Sequence, residues 1–152
     1  MRTVLCLALI IAALCATQSK ATAAQTQANG NYQQFAKTQD CQQQPSDIAC
    51  TLTFAALPGG KNLIVRQVSC FIAMISGGVR AVALESFTAT GSVPLARTFV
   101  TPVLGTGAGF NTATATVTHV VAAGQRLKVN VNITGGQAFS VECSVVGDLL
   151  SP

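Results

Sequence analysis

The sequence predicts an all-β domain, an antiparallel β-sandwich of jelly-roll type with about 7–8 strands, behind a cleaved leader. Three observations predict it. Beyond the first residues, apolar side chains recur with period two rather than 3.6. Glycine and proline punctuate the pattern at short intervals, as turns between strands do. Only 9% of the 152 residues are charged and 49% are hydrophobic. A chain with that much apolar mass has material for a core, which a disordered chain lacks.

The elements follow in order. Residues 1–23 read as a signal peptide. Arg2 supplies a positive start, Val4 to Ala16 form an apolar run too short to span a bilayer, and Ala21, Thr22 and Ala23 give the small residues of a cleavage site. Cleavage is expected after Ala23, with Ala24 as the near alternative. Residues 24–44, rich in Gln, Asn, Ala and Thr, read as a flexible polar lead-in with Tyr32 and Phe35 as its few large apolar groups. The β-domain is expected over residues 45–152.

Ile48, Cys50, Leu52 and Phe54 alternate with smaller or polar neighbours, as in a half-buried strand. Pro58, Gly59 and Gly60 then turn the chain. Leu63 to Met74 is an apolar strand with a polar notch at Arg66 and Gln67, which predicts a bend or a change of phase. Gly77 and Gly78 are expected to end it, and Val79 to Thr90 to form a further strand. Leu95, Phe99 and Val103 share one phase of the next, and Gly105 to Gly109 form a glycine-rich loop. Phe110 to Val121 is a Thr-rich strand, with Thr112, Thr114, Thr116 and Thr118 on one face. Leu127, Val129, Val131 and Ile133 alternate cleanly with Arg126, Lys128, Asn130 and Asn132. Gly135 and Gly136 signal a hairpin, and Phe139, Val141, Cys143 and Val145 point inward on the last strand.

Two of the six cysteines, Cys6 and Cys15, leave with the leader. Four remain: Cys41, Cys50, Cys70 and Cys143. An even number in an exported chain predicts two disulfides, and the spacing does not suit a zinc site. Cys70 and Cys143 both lie on core-facing phases, so they are expected to pair, which leaves Cys41 with Cys50. The inward phase of Cys50 also allows Cys50–Cys70 or Cys50–Cys143.

The phrase P-x-G-K-x-L-I-V-x-x-V-S, carried by Pro58, Gly60, Lys61, Leu63, Ile64, Val65, Val68 and Ser69, resembles one found in uncharacterised bacterial exported β-sandwich proteins. The closing strand, Ser140 to Leu149, is similar to theirs. The resemblance implies a sandwich fold and an exported location, and no activity.

Chemistry-bearing groups are few. The net charge of +4 falls to +2 once Arg2 and Lys20 leave, too little to draw in nucleic acid or an anionic membrane. The carboxylates are Asp40, Asp47, Glu85, Glu142 and Asp148. Glu85 and Glu142 are the only pair worth weighing for glycoside hydrolysis, and both read as exposed strand carboxylates. His119 is the one histidine, with no nucleophile motif and no second ligand beside it. It is expected near solvent at the end of its strand. The glycine-rich loop lacks the Lys and the helix of a phosphate-binding loop. With no Trp and one Tyr, stacking of sugars has little to use. Asn132, Ile133 and Thr134 form a glycosylation sequon.

The expected function is therefore an exported, non-catalytic structural or binding module without catalytic, metal or cofactor site. Its expected partner is an extracellular or envelope component, a glycan among the candidates, and the mature chain has no membrane span. One alternative is a polysaccharide-acting enzyme or accessory on the same scaffold. Another is a surface protein that self-assembles through an exposed strand edge. Either way the location is secreted or periplasmic.

Overall fold

The structure is a computed structural model and describes residues 23–28, 31–38, 41–43, 47–57, 60–104 and 109–151. The expected leader up to Thr22, with Cys6 and Cys15, lies outside the described residues. So do Asp40, Pro58 and Gly59 of the first turn, Gly105 to Ala108 of the glycine-rich loop, and the side chains of Ile48 and Phe139.

Every described element is a strand: β1 (Ala23–Ala28), β2 (Asn31–Thr38), β3 (Gln42–Gln43), β4 (Asp47–Thr53), β5 (Asn62–Thr88), β6 (Ala96–Val100), β7 (Val103–Leu104), β8 (Phe110–Val121) and β9 (Gln125–Leu150). All pairings are antiparallel and all belong to one curled sheet. The all-β antiparallel expectation holds.

Two strands organise it. β5 has 27 residues and β9 has 26, and they pair from Asn62 opposite Leu150 to Thr88 opposite Gln125. Four elements expected from the sequence are thus two. Gly77 and Gly78 do not end a strand, and Gly135 and Gly136 do not make a hairpin. The two glycine pairs lie at the same level of the ladder, where Gly78 faces Thr134. Gly77 and Gly135 take positive φ, 84° and 66°, a conformation glycine adopts without a Cβ penalty. Register shifts cluster from Ala73 to Ala81. The ribbon therefore bends there while its pairing continues on both sides.

The bend divides the ribbon into two arms. The first arm is flanked by β8 and β7 on one side and by β2 and β1 on the other. The second is flanked by β6 and by β4 with β3. β6 lies against β8, and β2 against β4, so the sheet curls back on itself at both margins.

The inner faces of both arms share one core. It holds Leu63, Val65, Val68, Cys70 and Ile72 of the first arm and Val82, Leu84, Val129, Val131 and Ile133 of the second. Each fully buried Val, Leu or Ile favours the folded chain by about 1.5–3 kcal/mol over its exposed state. β-branched residues dominate because they fit a pleated, half-buried surface.

The polar notch is a bulge. Val65 pairs with Gly147 and Gln67 with Val146, so Arg66 is the extra residue. Leu63 and Val65 face the core before it, and Val68, Cys70 and Ile72 after it. One inserted residue changes the phase and keeps both apolar runs inside. Arg66 turns out to solvent and its Nε donates to Asp148 at 2.8 Å.

The reading of residues 24–44 as a flexible lead-in is corrected. β1 pairs with β2, and β2 with β9 along Asn31 to Thr38. Tyr32, Gln34 and Ala36 are buried on the inner face. The period-two signal was hidden because a glutamine occupies one of the core positions. The Tyr32 hydroxyl donates to the Oε1 of that glutamine at 2.5 Å, while the glutamine's buried Nε2 has no partner. Among the described residues the sheet thus extends from Ala23, well before residue 45.

Two disulfides form, Cys41–Cys50 and Cys70–Cys143. These are the pairs the strand phases bring together. Cys70 and Cys143 are direct register partners at the centre of the ribbon, and both are buried. Cys41 and Cys50 clamp the short β3–β4 hairpin.

Candidate functional site

Glu85 is not exposed. It lies on β5 between core residues Leu84 and Ser86, with its side chain on the outer face and 1% of it accessible. Arg97 of β6 donates through Nε to Oε1 at 2.5 Å, and Asn130 of β9 through Nδ2 to Oε2 at 2.5 Å. The Thr51 hydroxyl of β4 donates to Oδ1 of Asn130. A hydrogen-bonded chain thus crosses four neighbouring strands of the second arm. It satisfies a carboxylate that would otherwise be stranded. Beside it, the Lys128 ammonium sits 4.2 Å from the centre of the Phe87 ring and covers it.

His119 is not near solvent either. It is 3% exposed on the inner face of β8, opposite Val65. Its Nδ1 shares a hydrogen bond of 2.9 Å with the Thr98 hydroxyl of β6, and its buried Nε2 has no partner. Burial pushes the imidazole below its ordinary value of 6.5. Burial also pushes the Tyr32 phenol up to about 12. Sequence alone hid the placement of His119, because one polar residue on an apolar phase looks like a strand end.

These groups do not converge. Glu85 faces outward in the second arm, and His119 faces inward in the first. Glu142 is paired in register with Phe71, and Glu85 with Lys128, toward opposite ends of β9. Glu85, Glu142 and His119 therefore do not form one constellation. Among the described residues no group of three or more His, Cys, Asp or Glu is placed to hold a metal ion.

The outer faces carry the other candidates. Thr112, Thr114, Thr116 and Thr118 all face solvent on β8, and Thr114 bonds Ser69 of β5 at 2.9 Å. Phe71 and Phe110 stack with ring centres 5.4 Å apart, and exposed Val103 lies in the cross-strand row of Phe71, on the far side of Thr112. Leu95 and Phe99 face outward on the second arm, 55% and 69% exposed. The apolar phase of Leu95, Phe99 and Val103 is thus a solvent-facing phase, and Val100 from the opposite phase enters the core. Asn132 of the sequon is half-buried within β9, between Ala49 and Ala81.

Compared with family models, with curated proteins and with solved structures, the chain matches none.

Proposed function

We propose that this chain is an exported, non-catalytic binding module whose curled sheet serves as a jelly-roll-like sandwich, recognising an extracellular or envelope component through its outer faces. The observation that carries the proposal is the set of large apolar side chains turned to solvent. Phe71, Phe110 and Val103 gather on one arm, and Leu95 and Phe99 on the other. Grouped exposed apolar residues mark interaction surfaces more often than isolated ones do. The leader expected over residues 1–23 supports export. The two disulfides fit an oxidising compartment, and no described helix is long and apolar enough to cross a membrane.

The carboxylate best placed for chemistry is already occupied. Both oxygens of Glu85 accept hydrogen bonds from neighbouring strands, which suits a structural role better than proton transfer. The test immobilises the oxidised protein and presents envelope fractions and extracellular polysaccharides separately. Retention of one fraction, lost in Phe71→Ser/Phe110→Ser or in Leu95→Ser/Phe99→Ser, is the expected result. Retention of none counts against a binding module. Release of reducing ends from a polysaccharide, abolished by Glu85→Gln, replaces it with the enzyme reading.

A further inference from the structure

The margin where β6 meets β8, like the one where β2 meets β4, closes without a strand ladder among the described residues. β6 pairs with β5 through only five residues, Val82 to Ser86 opposite Val100 to Ala96. It lies against β8 without a strand pairing among the described residues. The side-chain bond across this seam joins Thr98 to Nδ1 of His119. Nε2 of the same ring is buried with no acceptor. We propose that the seam is an acid-operated latch: protonation of His119 releases β6 from β8 and opens the inner face at this margin, while the disulfide-bonded ribbon stays folded.

Among the described residues no charged group is placed to balance the charge. On β5, His119 is opposite Val65, and the nearby Arg66 turns outward to Asp148 of β9. On β6, Arg97 faces outward and is bound to Glu85. The β9 residues beside this part of β5, Gly147 and Leu149, are uncharged, and Asp148 between them is bound to Arg66 on the outer face. Among the described residues, apart from Glu85, whose side chain lies on the outer face, His119 is the one charge-bearing group in the buried polar set of Gln34, Ser86, Asn111, His119 and Ser140. An imidazolium there has a second N–H with no acceptor and no carboxylate in reach, which burial penalises heavily. Moving β6 aside lets the ring reach water. The β6 ladder to β5 is only five residues long, so β6 is a short element to displace.

The sign follows from the direction of the shift. The folded-state pKa lies below the unfolded value of 6.5. The closed state is therefore fully favoured above 6.5, and the preference is lost as pH falls from 6.5 through the folded value. The opened state exposes the Thr98 face of β6 and the unpaired margin of β8. An acidic surrounding then offers a binding partner a strand edge that neutral conditions hide.

Hydrogen exchange read by mass spectrometry tests this on the protein purified with both disulfides oxidised. Rates are corrected for the intrinsic pH dependence of exchange. Protection of residues 96–100 and 117–121 is expected to fall as pH drops below 6.5, ahead of residues 68–73 and 141–146. His119→Gln, which keeps a polar partner for Thr98 and cannot become charged, is expected to hold protection constant over the same range. Thr98→Val, which retains the histidine, is expected to keep the acid response from a less protected starting point. Loss of protection throughout the chain at one pH overturns the latch. Unchanged protection of β6 overturns it as well, as does an acid response that persists in His119→Gln.

Discussion

Gly147 shows how one residue follows from another across the sheet. The bulge at Arg66 draws the β5 backbone toward β9, and a Cβ at Gly147 would lie 2.2 Å from the Ile64 carbonyl oxygen. That neighbour is main chain in the central ribbon, so it cannot rotate away. Gly147→Ala is expected to cost about 2–4 kcal/mol, seen as a lower urea midpoint at unchanged slope. Gly124→Ala, in an open turn with φ of 78° and nothing within 4 Å, should cost only about 1 kcal/mol. Equal effects of the two would show that the close approach at the bulge is not there. Tyr32 makes a second prediction at this scale. Its phenol ionises near 10 when unfolded and about 12 when folded. The unfolded chain therefore loses its proton first, and the stability Tyr32 contributes is complete below 10 and is lost as pH rises through 12. It is the single tyrosine, and no tryptophan obscures it. Tyrosinate absorbance titrating at 10 in the folded protein would refute its burial.

Between elements, the chain from Arg97 through Glu85 and Asn130 to Thr51 links β6, β5, β9 and β4. Arg97 is half-exposed and Glu85 is not, so removing the arginine leaves a buried carboxylate with one partner fewer. Arg97→Ala is expected to destabilise by about 2 kcal/mol, and the double variant R97A/E85Q to recover part of it. A double variant less stable than R97A would mean that the loss comes from packing and not from charge. How far these elements were legible depends on what the signal was. Leu127 to Ile133 alternated without interruption and was read correctly, because one face met core and the other met solvent. The notch at Arg66 was read as a phase change because apolar residues resumed on the opposite parity. Gly77–Gly78 and Gly135–Gly136 were misread as ends. A local turn signal cannot report that the partner strand carries glycines at the same level, where both bend together. Glu85 and His119 look like surface groups in sequence because their hydrogen-bond partners, Arg97, Asn130 and Thr98, come from other strands. The exposed phase of Leu95, Phe99 and Val103 was equally hidden, since periodicity gives two faces without saying which one meets the core.

For the molecule as a whole, the central ribbon is assembled from segments far apart in the chain, and the disulfides act on that difficulty unequally. Cys70–Cys143 spans 73 residues and encloses the bend, β6, β7 and β8, whereas Cys41–Cys50 spans 9 and encloses one hairpin. Cross-linking removes more disorder from the unfolded chain when the closed loop is longer. The chain-entropy treatment assigns about 4 kcal/mol to the long link and about 3 kcal/mol to the short one. Position sharpens the contrast. The long link joins register partners in the ribbon on which both arms depend, and the short one serves a margin. Cys70→Ala/Cys143→Ala is expected to lower Tm by about 10–20 °C. Cys41→Ala/Cys50→Ala should lower it less and loosen chiefly β3 and β4. Calorimetry on the two double variants decides the order, and hydrogen exchange locates the loss. A larger fall in Tm for the Cys41–Cys50 pair would show that the hairpin margin, and not the ribbon, limits the stability of the sheet.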